Sequence, residues 1–269
     1  MSFFCLAVGF RDPAFFAIPL KPTTSGTRPA NEYAAGHIAG AIYASMVFVG
    51  PFSLIYVPNK LIVRGDATAT AANVLAHQTL FGFGIMAEMA SAVIFISLAV
   101  ALYRLLSSAS VPWALLMVGF VFVSAAVGFV DTLNNIAALH LFRGGEFLSV
   151  LDQTQRDSLG MFFARLHSQG IFMNELFWGL WLFPFGLLVY RSGFLPRWIG
   201  VWLMINCFAY VILSPIALFF PAYYGTAFKL AQPVLFGEIA IMLWLLIKGA
   251  KVSPLGPVSG EASPCSARA

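Results

Sequence analysis

The chain has 269 residues, of which 60% are hydrophobic and only 10% are charged. Soluble globular proteins have about 45–50% apolar and about 25% charged residues, so this composition excludes an ordinary soluble domain and indicates an integral membrane protein. The formal net charge is +4, but the lysines and arginines stand singly at the ends of apolar segments. That distribution favours topology signals over a nucleic-acid-binding patch.

Residues 1–35 are predicted to form a cytoplasmic tail that is disordered or associated with the membrane surface. Arg11 and Asp12 interrupt its apolar start, which is therefore unlike a secretory signal peptide. Threonine, serine and glycine at 23–27 favour disorder, whereas the phenylalanines near the N-terminus favour an amphipathic surface segment. Residues 251–269 are rich in proline, serine and glycine and are predicted to form a second disordered cytoplasmic tail.

Between these tails, residues 36–250 are predicted to form one all-α transmembrane domain. A membrane-spanning helix needs about 20 mostly apolar residues, and six segments reach that length. Six crossings place both ends of this bundle on the same side of the membrane. With that side inside, 9 of the 15 lysines and arginines are cytoplasmic, which favours an N-in/C-in orientation in the cell inner (cytoplasmic) membrane. The predicted spans are 36–57, 79–103, 112–139, 163–190, 196–220 and 226–248.

The first span begins with Gly36 and Gly40 in a GxxxG spacing, which predicts close packing against another helix. Pro51 removes a helical hydrogen bond and predicts a kink in the same span. After the span, Asp66 is placed to cap an alanine-rich helix. This helix is predicted to lie at the membrane surface and to continue into the second span.

Acidic and amide side chains interrupt the second and third spans. The second span carries Glu88. The third carries Asp131, followed by Asn134 and Asn135 close to one helical face. His140 points about half a turn away from Asp131, so it is left out of this polar face.

The fourth span combines an unusual set of polar residues with an apolar composition. Asp152 is placed to cap a helix that begins on the membrane surface before it enters the bilayer. Within the span lie His167, Asn174 and Glu175. Pro184 is predicted to interrupt its second half.

Glu238 in the sixth span completes a set of four helices that each supply one acid at a similar depth. At 1.5 Å per residue the four acids lie ~13–20 Å below the outer ends of their helices. No lysine or arginine falls within this predicted layer, so the carboxylates must take up a proton, share one or hold a cation. His167 is predicted to lie at the outer mouth, above the layer. The candidate residues for binding a ligand, proton or cation are Glu88, Asp131, Asn134, Asn135, His167, Asn174, Glu175 and Glu238.

These residues leave three kinds of function open. The preferred hypothesis is a buried acidic cavity that binds or transports a proton, a cation or a small cationic or amphipathic molecule. The first alternative is a membrane-embedded enzyme that uses His167 with the buried carboxylates, with or without a metal. The second is a non-catalytic accessory or signalling subunit, in which the acids only join helices through hydrogen bonds.

The sequence lacks the common motifs for catalysis and cofactor binding, and this does not favour the enzyme hypothesis. The sequence has no HExxH or GxSxG motif and no glycine-rich phosphate loop. Cys5, Cys207 and Cys265 are too widely separated to indicate a disulfide framework or a thiolate metal site. His77 is interpreted as a loop or interface residue. Catalytic residues, metal ligands, cofactors and oligomeric state are therefore not identified, and the predicted partners are the lipid bilayer and a small-molecule or cation ligand, with no nucleic acid.

Five segments carry a family resemblance, in the order GHIAGAIY, GDATATAANVLAHQTLFGFGIMAE, LHSQGIFMNELFWGL, YRSGFLPRWIGVWL and GEIAIMLWLLIKG. Together they resemble the bacterial multi-pass membrane protein family called domain of unknown function 4386. The similarity covers about residues 31–250 and is most specific at the RSGFLPRWIG turn and the final GE-to-LWLLIKG segment. The resemblance implies several membrane spans and no particular activity. The positions it emphasises are Glu88, His167 with Gly170, the segment from Arg191 to Pro196, and Glu238.

Overall fold

The computed structural model describes the backbone of residues 28–250 and the side chains of residues 35–250. Within that range the chain is helical and contains no β-strand. The predicted C-terminal tail and most of the predicted N-terminal tail lie outside the described residues. Helix α1 begins at Arg28, inside the segment predicted as a tail.

Helices connected by short loops make up the described chain. Two irregular turns accompany them, a π-helical turn at Phe52–Tyr56 and a 3₁₀ turn at Glu146–Leu148. The α-helices are α1 (Arg28–Pro51), α2 (Val57–Leu61), α3 (Ala67–Ala76), α4 (Gln78–Leu106), α5 (Val111–Arg143), α6 (Gln153–Leu180), α7 (Leu182–Arg191), α8 (Arg197–Phe219) and α9 (Pro221–Lys248).

In the described residues, six helical segments are long and apolar enough to cross a membrane, as predicted from the sequence. The protein is therefore a multi-pass, all-α membrane protein. Large hydrophobic side chains such as Phe48 and Ile247 remain exposed on these helices, as expected of surfaces that face lipid. The spans are Ala35–Leu61, Gln78–Leu106, Val111–Arg143, Gln153–Arg191, Arg197–Phe219 and Pro221–Lys248.

Local sequence signals fix several helix ends. The Asp66 side chain accepts a hydrogen bond from the backbone N–H of Ala69 (2.8 Å), so the predicted cap of α3 is confirmed. Asp152 caps α6 in the same way and forms a reciprocal capping box with Gln155. The predicted continuation of α3 into the second span is wrong, because the helix is interrupted at His77.

Prolines mark the irregular points within the spans. The π-helical turn begins directly after Pro51, at the predicted kink. In the fourth span, α6 ends at Leu180 and α7 starts at Leu182. Pro184 has no N–H to donate to the carbonyl of Leu180, which accounts for the break at this point.

The six spans form a closed ring in chain order. Each span packs against the next one along the chain, and α9 packs against α1. Gly36 and Gly40 lie at this closing contact, where a Cβ on Gly40 would collide with the α9 backbone at Leu246 and a Cβ on Gly36 with the backbone at Ala250, just after α9. The predicted GxxxG packing face is thus confirmed, and the start of α1 lies beside the end of α9. N-in/C-in orientation stays a prediction.

Candidate functional site

His167 lies between two carboxylates contributed by neighbouring helices. Its Nε2 is 3.2 Å from Oε1 of Glu88 on α4, and its Nδ1 is 2.9 Å from Oδ2 of Asp131 on α5. The three side chains are each about nine-tenths buried. This cluster, called the histidine cluster below, joins α4, α5 and α6.

Two asparagines support the carboxylates of the histidine cluster. Asn135 Nδ2 donates a hydrogen bond to Oε1 of Glu88 (3.1 Å), and Asn134 Nδ2 donates to Oδ1 of Asp131 (3.0 Å). Gly170 lies one turn beyond His167, and a Cβ there would overlap the Asp131 carboxylate. The absence of a side chain at Gly170 therefore makes room for the acid.

Proton accounting limits what the histidine cluster can do. A neutral imidazole has one N–H, whereas both ring nitrogens of His167 face carboxylate oxygens. Both contacts are hydrogen bonds only if both ring nitrogens of His167 are protonated, or if the carboxyl group of Glu88 or Asp131 is itself protonated and donates to the ring. Since both nitrogens are engaged, neither is free to act on a substrate unless one contact opens.

Glu238 on α9 forms a second polar cluster, built mainly from tyrosines. Tyr43 on α1 donates its hydroxyl to Oε2 of Glu238 (2.7 Å). Tyr210 and Asn206 on α8 lie close to the same carboxyl group. The cluster, called the tyrosine cluster below, joins the first, fifth and sixth spans.

Glu175 and Asn174 occupy positions separate from both clusters. Glu175 Oε1 accepts a hydrogen bond from the hydroxyl of Tyr224 on α9 (2.6 Å), while its Oε2 has no partner among the described residues. Asn174 exchanges two hydrogen bonds with Ser124 on α5, through its own side chain and the Ser124 hydroxyl and carbonyl (2.9 and 3.2 Å). Asn174 therefore ties α6 to α5.

A cavity of about 240 Å³ in the middle of the ring connects the two clusters. We call it the chamber. Every span contributes to its wall, and the described residues that line it include no lysine or arginine. Aromatic rings form much of the apolar wall, among them Phe95 and Trp181, whose centroids are 5.1 Å apart in an edge-to-face arrangement. The polar residues that line it are Tyr43, Ser53, Glu88, Ser91, Ser124, Asp131, Thr132, His167, Asn174, Tyr210 and Glu238.

The geometry corrects two details of the predicted acid layer. His167 does not lie above the acids, because it contacts Glu88 and Asp131 directly. Glu175 does not line the chamber, although the other three acids do. The depth of a residue along its helix was readable from the sequence, but the rotation of each helix about its axis was not.

Sequence reasoning missed the tyrosines that bind the acids. The first and fifth spans were expected to supply no acid, but they supply Tyr43 and Tyr210 to Glu238 instead. Tyrosines of membrane proteins are enriched at the membrane surface, so a tyrosine well inside a span was the available signal. Tyr224 shows no such signal, because it lies near the start of α9.

Outside the histidine cluster, the histidines and other side chains able to bind a metal form no further metal site in the described chain. His77 and His140 are exposed. Among residues 35–250, no group of three or more histidine, cysteine, aspartate or glutamate side chains is arranged to hold a metal ion. In the histidine cluster the two carboxylates bind opposite nitrogens of one ring, so the three side chains do not converge on a common point.

Comparison with known proteins agrees with the membrane architecture and gives no activity. The family model described as domain of unknown function (DUF4386) matches residues 38–249. An archaeal protein of Archaeoglobus fulgidus, named only as an uncharacterized protein, is 33% identical over 158 residues, which are 59% of this chain and 78% of the relative. No solved structure matches the chain significantly.

Proposed function

Because this chain belongs to the family described as domain of unknown function (DUF4386), and that description names no activity, we propose its function from the residues that line the chamber. The chamber binds a small organic cation that has an apolar body. The observation that supports this proposal is the combination, in one cavity, of carboxylates with a mostly apolar and aromatic wall.

Charge balance favours a cation. When His167 carries two protons and its neighbouring carboxyl groups are ionised, the histidine cluster keeps one net negative charge. In the tyrosine cluster, Glu238 accepts a hydrogen bond from Tyr43, and its other polar neighbours, Tyr210 and Asn206, are also uncharged side chains. Because isolated charge is costly in a low-dielectric interior, a bound cation stabilises the ionised form of either cluster.

The wall favours an organic ligand over a bare metal ion. Calcium and magnesium ions prefer about six or more oxygen ligands, whereas long stretches of this wall offer only carbon. The faces of tryptophan and tyrosine rings attract ammonium groups. A protein cavity of about 150 Å³ accommodates benzene, so a chamber of about 240 Å³ has room for one aromatic ring with a short aminoalkyl chain.

Thermal unfolding of the purified protein with three matched probes tests the proposal. At pH 7, 2-phenylethylamine is a cation, 2-phenylethanol is its neutral analogue and phenylacetate is an anion of similar size. A probe at 100 times its Kd stabilises the folded state by about 2.7 kcal/mol. We expect only the amine to raise the Tm by several degrees, and we expect Glu88→Gln and Glu238→Gln each to reduce this rise.

A surface carboxylate provides the matched control. Glu146→Gln changes an exposed acid outside the spans and should leave the effect of the amine unchanged. Equal stabilisation by the alcohol and the amine would show that charge is not recognised. An undiminished effect of the amine in both Glu88→Gln and Glu238→Gln would place its binding site outside the chamber.

A further inference from the structure

A second cavity, which we call the vestibule, lies beside the chamber and has a volume of about 230 Å³. At one end it is lined by Asn59 and Arg64, which are exposed residues within α2 and in the α2–α3 connection. At the other end it is lined by Glu88 and His167, which also line the chamber. The vestibule therefore extends from the molecular surface to the histidine cluster.

The wall between the two cavities is thin. The residues that line both are Ser53, Leu54, Glu88, His167 and Ile171. Ser53 and Leu54 belong to the π-helical turn at Phe52–Tyr56, a kind of irregularity that is frequent at functional sites. Within this wall the single polar bridge between helices is the 3.2 Å contact of Glu88 with His167.

We propose that the vestibule is the aqueous access route to the chamber and that the Glu88–His167 contact is the barrier between them. A solute arrives at the α2–α3 end, passes Arg64 and reaches the chamber when the contact opens. Arg64 places a fixed positive charge at the mouth and slows the entry of cations relative to anions, because a charge at the rim of a cleft changes association rates more than affinities. The identity of the natural solute rests on the proposed function, but the route does not.

Cysteine accessibility in lipid nanodiscs tests the route with reagents unrelated to the chamber ligand. The background replaces Cys5, Cys207 and Cys265 by serine or alanine. Ser168→Cys reports on the vestibule and Ser91→Cys on the chamber. Both changes are nearly isosteric, and the Ser91 hydroxyl has no hydrogen-bond partner among the described residues. Thiolates displace methanesulfinate from methanethiosulfonate reagents, so the labelling rate measures access of water and reagent.

The barrier predicts different rates for the two reporters. With the cationic trimethylammonioethyl reagent, Ser168→Cys should react at least about tenfold faster than Ser91→Cys, which corresponds to ~1.4 kcal/mol of barrier. Adding His167→Ala or Glu88→Gln should raise the Ser91→Cys rate by a similar factor and leave the Ser168→Cys rate within about twofold. His140→Ala, an exposed histidine on α5, is the matched control and should change neither rate.

Arg64 distinguishes this route from any other, and its replacement does not disturb the buried clusters. Arg64→Gln should raise the ratio of cationic to anionic labelling by roughly two- to fivefold at low ionic strength, and by less at high salt. The change should be the same at Ser168→Cys and at Ser91→Cys, because both reporters lie on one route. Arg104→Gln, an exposed arginine at the other end of α4, should have no effect.

Three results would overturn the proposal. The first is an unreactive Ser168→Cys, and the second is equal labelling of both reporters in the parent protein. The third is a ratio of cationic to anionic labelling at Ser91→Cys that does not change with Arg64→Gln, which would mean that reagents reach the chamber by another route. Since none of these measurements uses the phenylethyl probes, failure of the route and failure of cation binding are distinguishable.

Discussion

At the scale of single residues, Gly170 determines where Asp131 can lie. A Cβ at position 170 would overlap the Asp131 carboxylate, so only glycine leaves the acid within 2.9 Å of His167. The family resemblance emphasised His167 together with Gly170. The structure supplies the physical reason, which is the space that glycine leaves beside the acid.

Gly170→Ala should therefore damage the histidine cluster. The added methyl group must displace Asp131, and overpacking of this kind costs roughly 1–3 kcal/mol of folding free energy. Thermal unfolding should show a lower Tm, and stabilisation by 2-phenylethylamine should weaken. Gly119→Ala is the control, since a Cβ there meets nothing within 4 Å. Equal Tm values for Gly170→Ala and Gly119→Ala would contradict the assigned packing.

The His167–Glu88 contact should show strong energetic coupling. His167→Gln removes the imidazole between two carboxylates, and breaking a buried ion pair costs about 3–5 kcal/mol. In the double variant, Glu88→Gln replaces one of the two carboxylates by a neutral amide, so one charge fewer is left without its partner. The double variant should therefore be more stable than the sum of the two single effects implies. Chemical denaturation of the four proteins measures the coupling. Simple additivity would mean that the two side chains do not interact.

At the scale of the helices, the contact between α1 and α9 closes the ring. Gly36 and Gly40 let the two backbones approach until a side chain would collide with Ala250 or Leu246. Small residues at such crossings are a general device of membrane helices. This contact also brings Tyr43 on α1 within 2.7 Å of Glu238 on α9. The glycines thus contribute indirectly to the tyrosine cluster.

Gly40→Val should separate α1 from α9. The valine would meet the α9 backbone, which has no side-chain rotation with which to yield, so we expect a loss of roughly 3 kcal/mol or more. The yield of folded protein in size-exclusion chromatography and its Tm should both fall. Gly82→Val, at an open position of α4, carries the same change in helix propensity and should have a small effect. Similar losses for both variants would contradict the close crossing.

At the scale of the whole molecule, the ring of six spans creates an interior that no pair of helices has. The chamber takes lining residues from every span. Because the number of spans is even, the start of α1 and the end of α9 lie on the same side of the membrane, and the contact of Gly36 with Ala250 makes them neighbours. The excess of lysine and arginine on that side predicts that it faces the cytoplasm.

Reporter fusions test the orientation. In a bacterial host, green fluorescent protein fluoresces only when it stays in the cytoplasm, and alkaline phosphatase is active only outside it. We expect fluorescence from a fusion after residue 269, and phosphatase activity from an insertion between Gly144 and Gly145 in the α5–α6 connection. The reverse pattern would place the mouth of the vestibule on the cytoplasmic side, because the α2–α3 and α5–α6 connections lie on the same side of the ring.

The sequence by itself determined the local features of this protein. The six spans follow from runs of apolar residues, the caps at Asp66 and Asp152 from side chains that reach their own backbone, and the break after Leu180 from Pro184. Each depends on residues a few positions apart. The acids were also visible as polar residues within apolar segments.

Only the tertiary structure decided which of these polar residues meet. Tyr43 and Glu238 are 195 positions apart, and Asn135 and Glu88 are 47 apart, so their contacts depend on how each helix is rotated and which helices are neighbours. The same freedom placed His167 level with two acids and turned Glu175 away from the chamber. Helical periodicity gives relative angles within one helix, but the packing of the ring sets the angle between helices, and that angle determines the chamber.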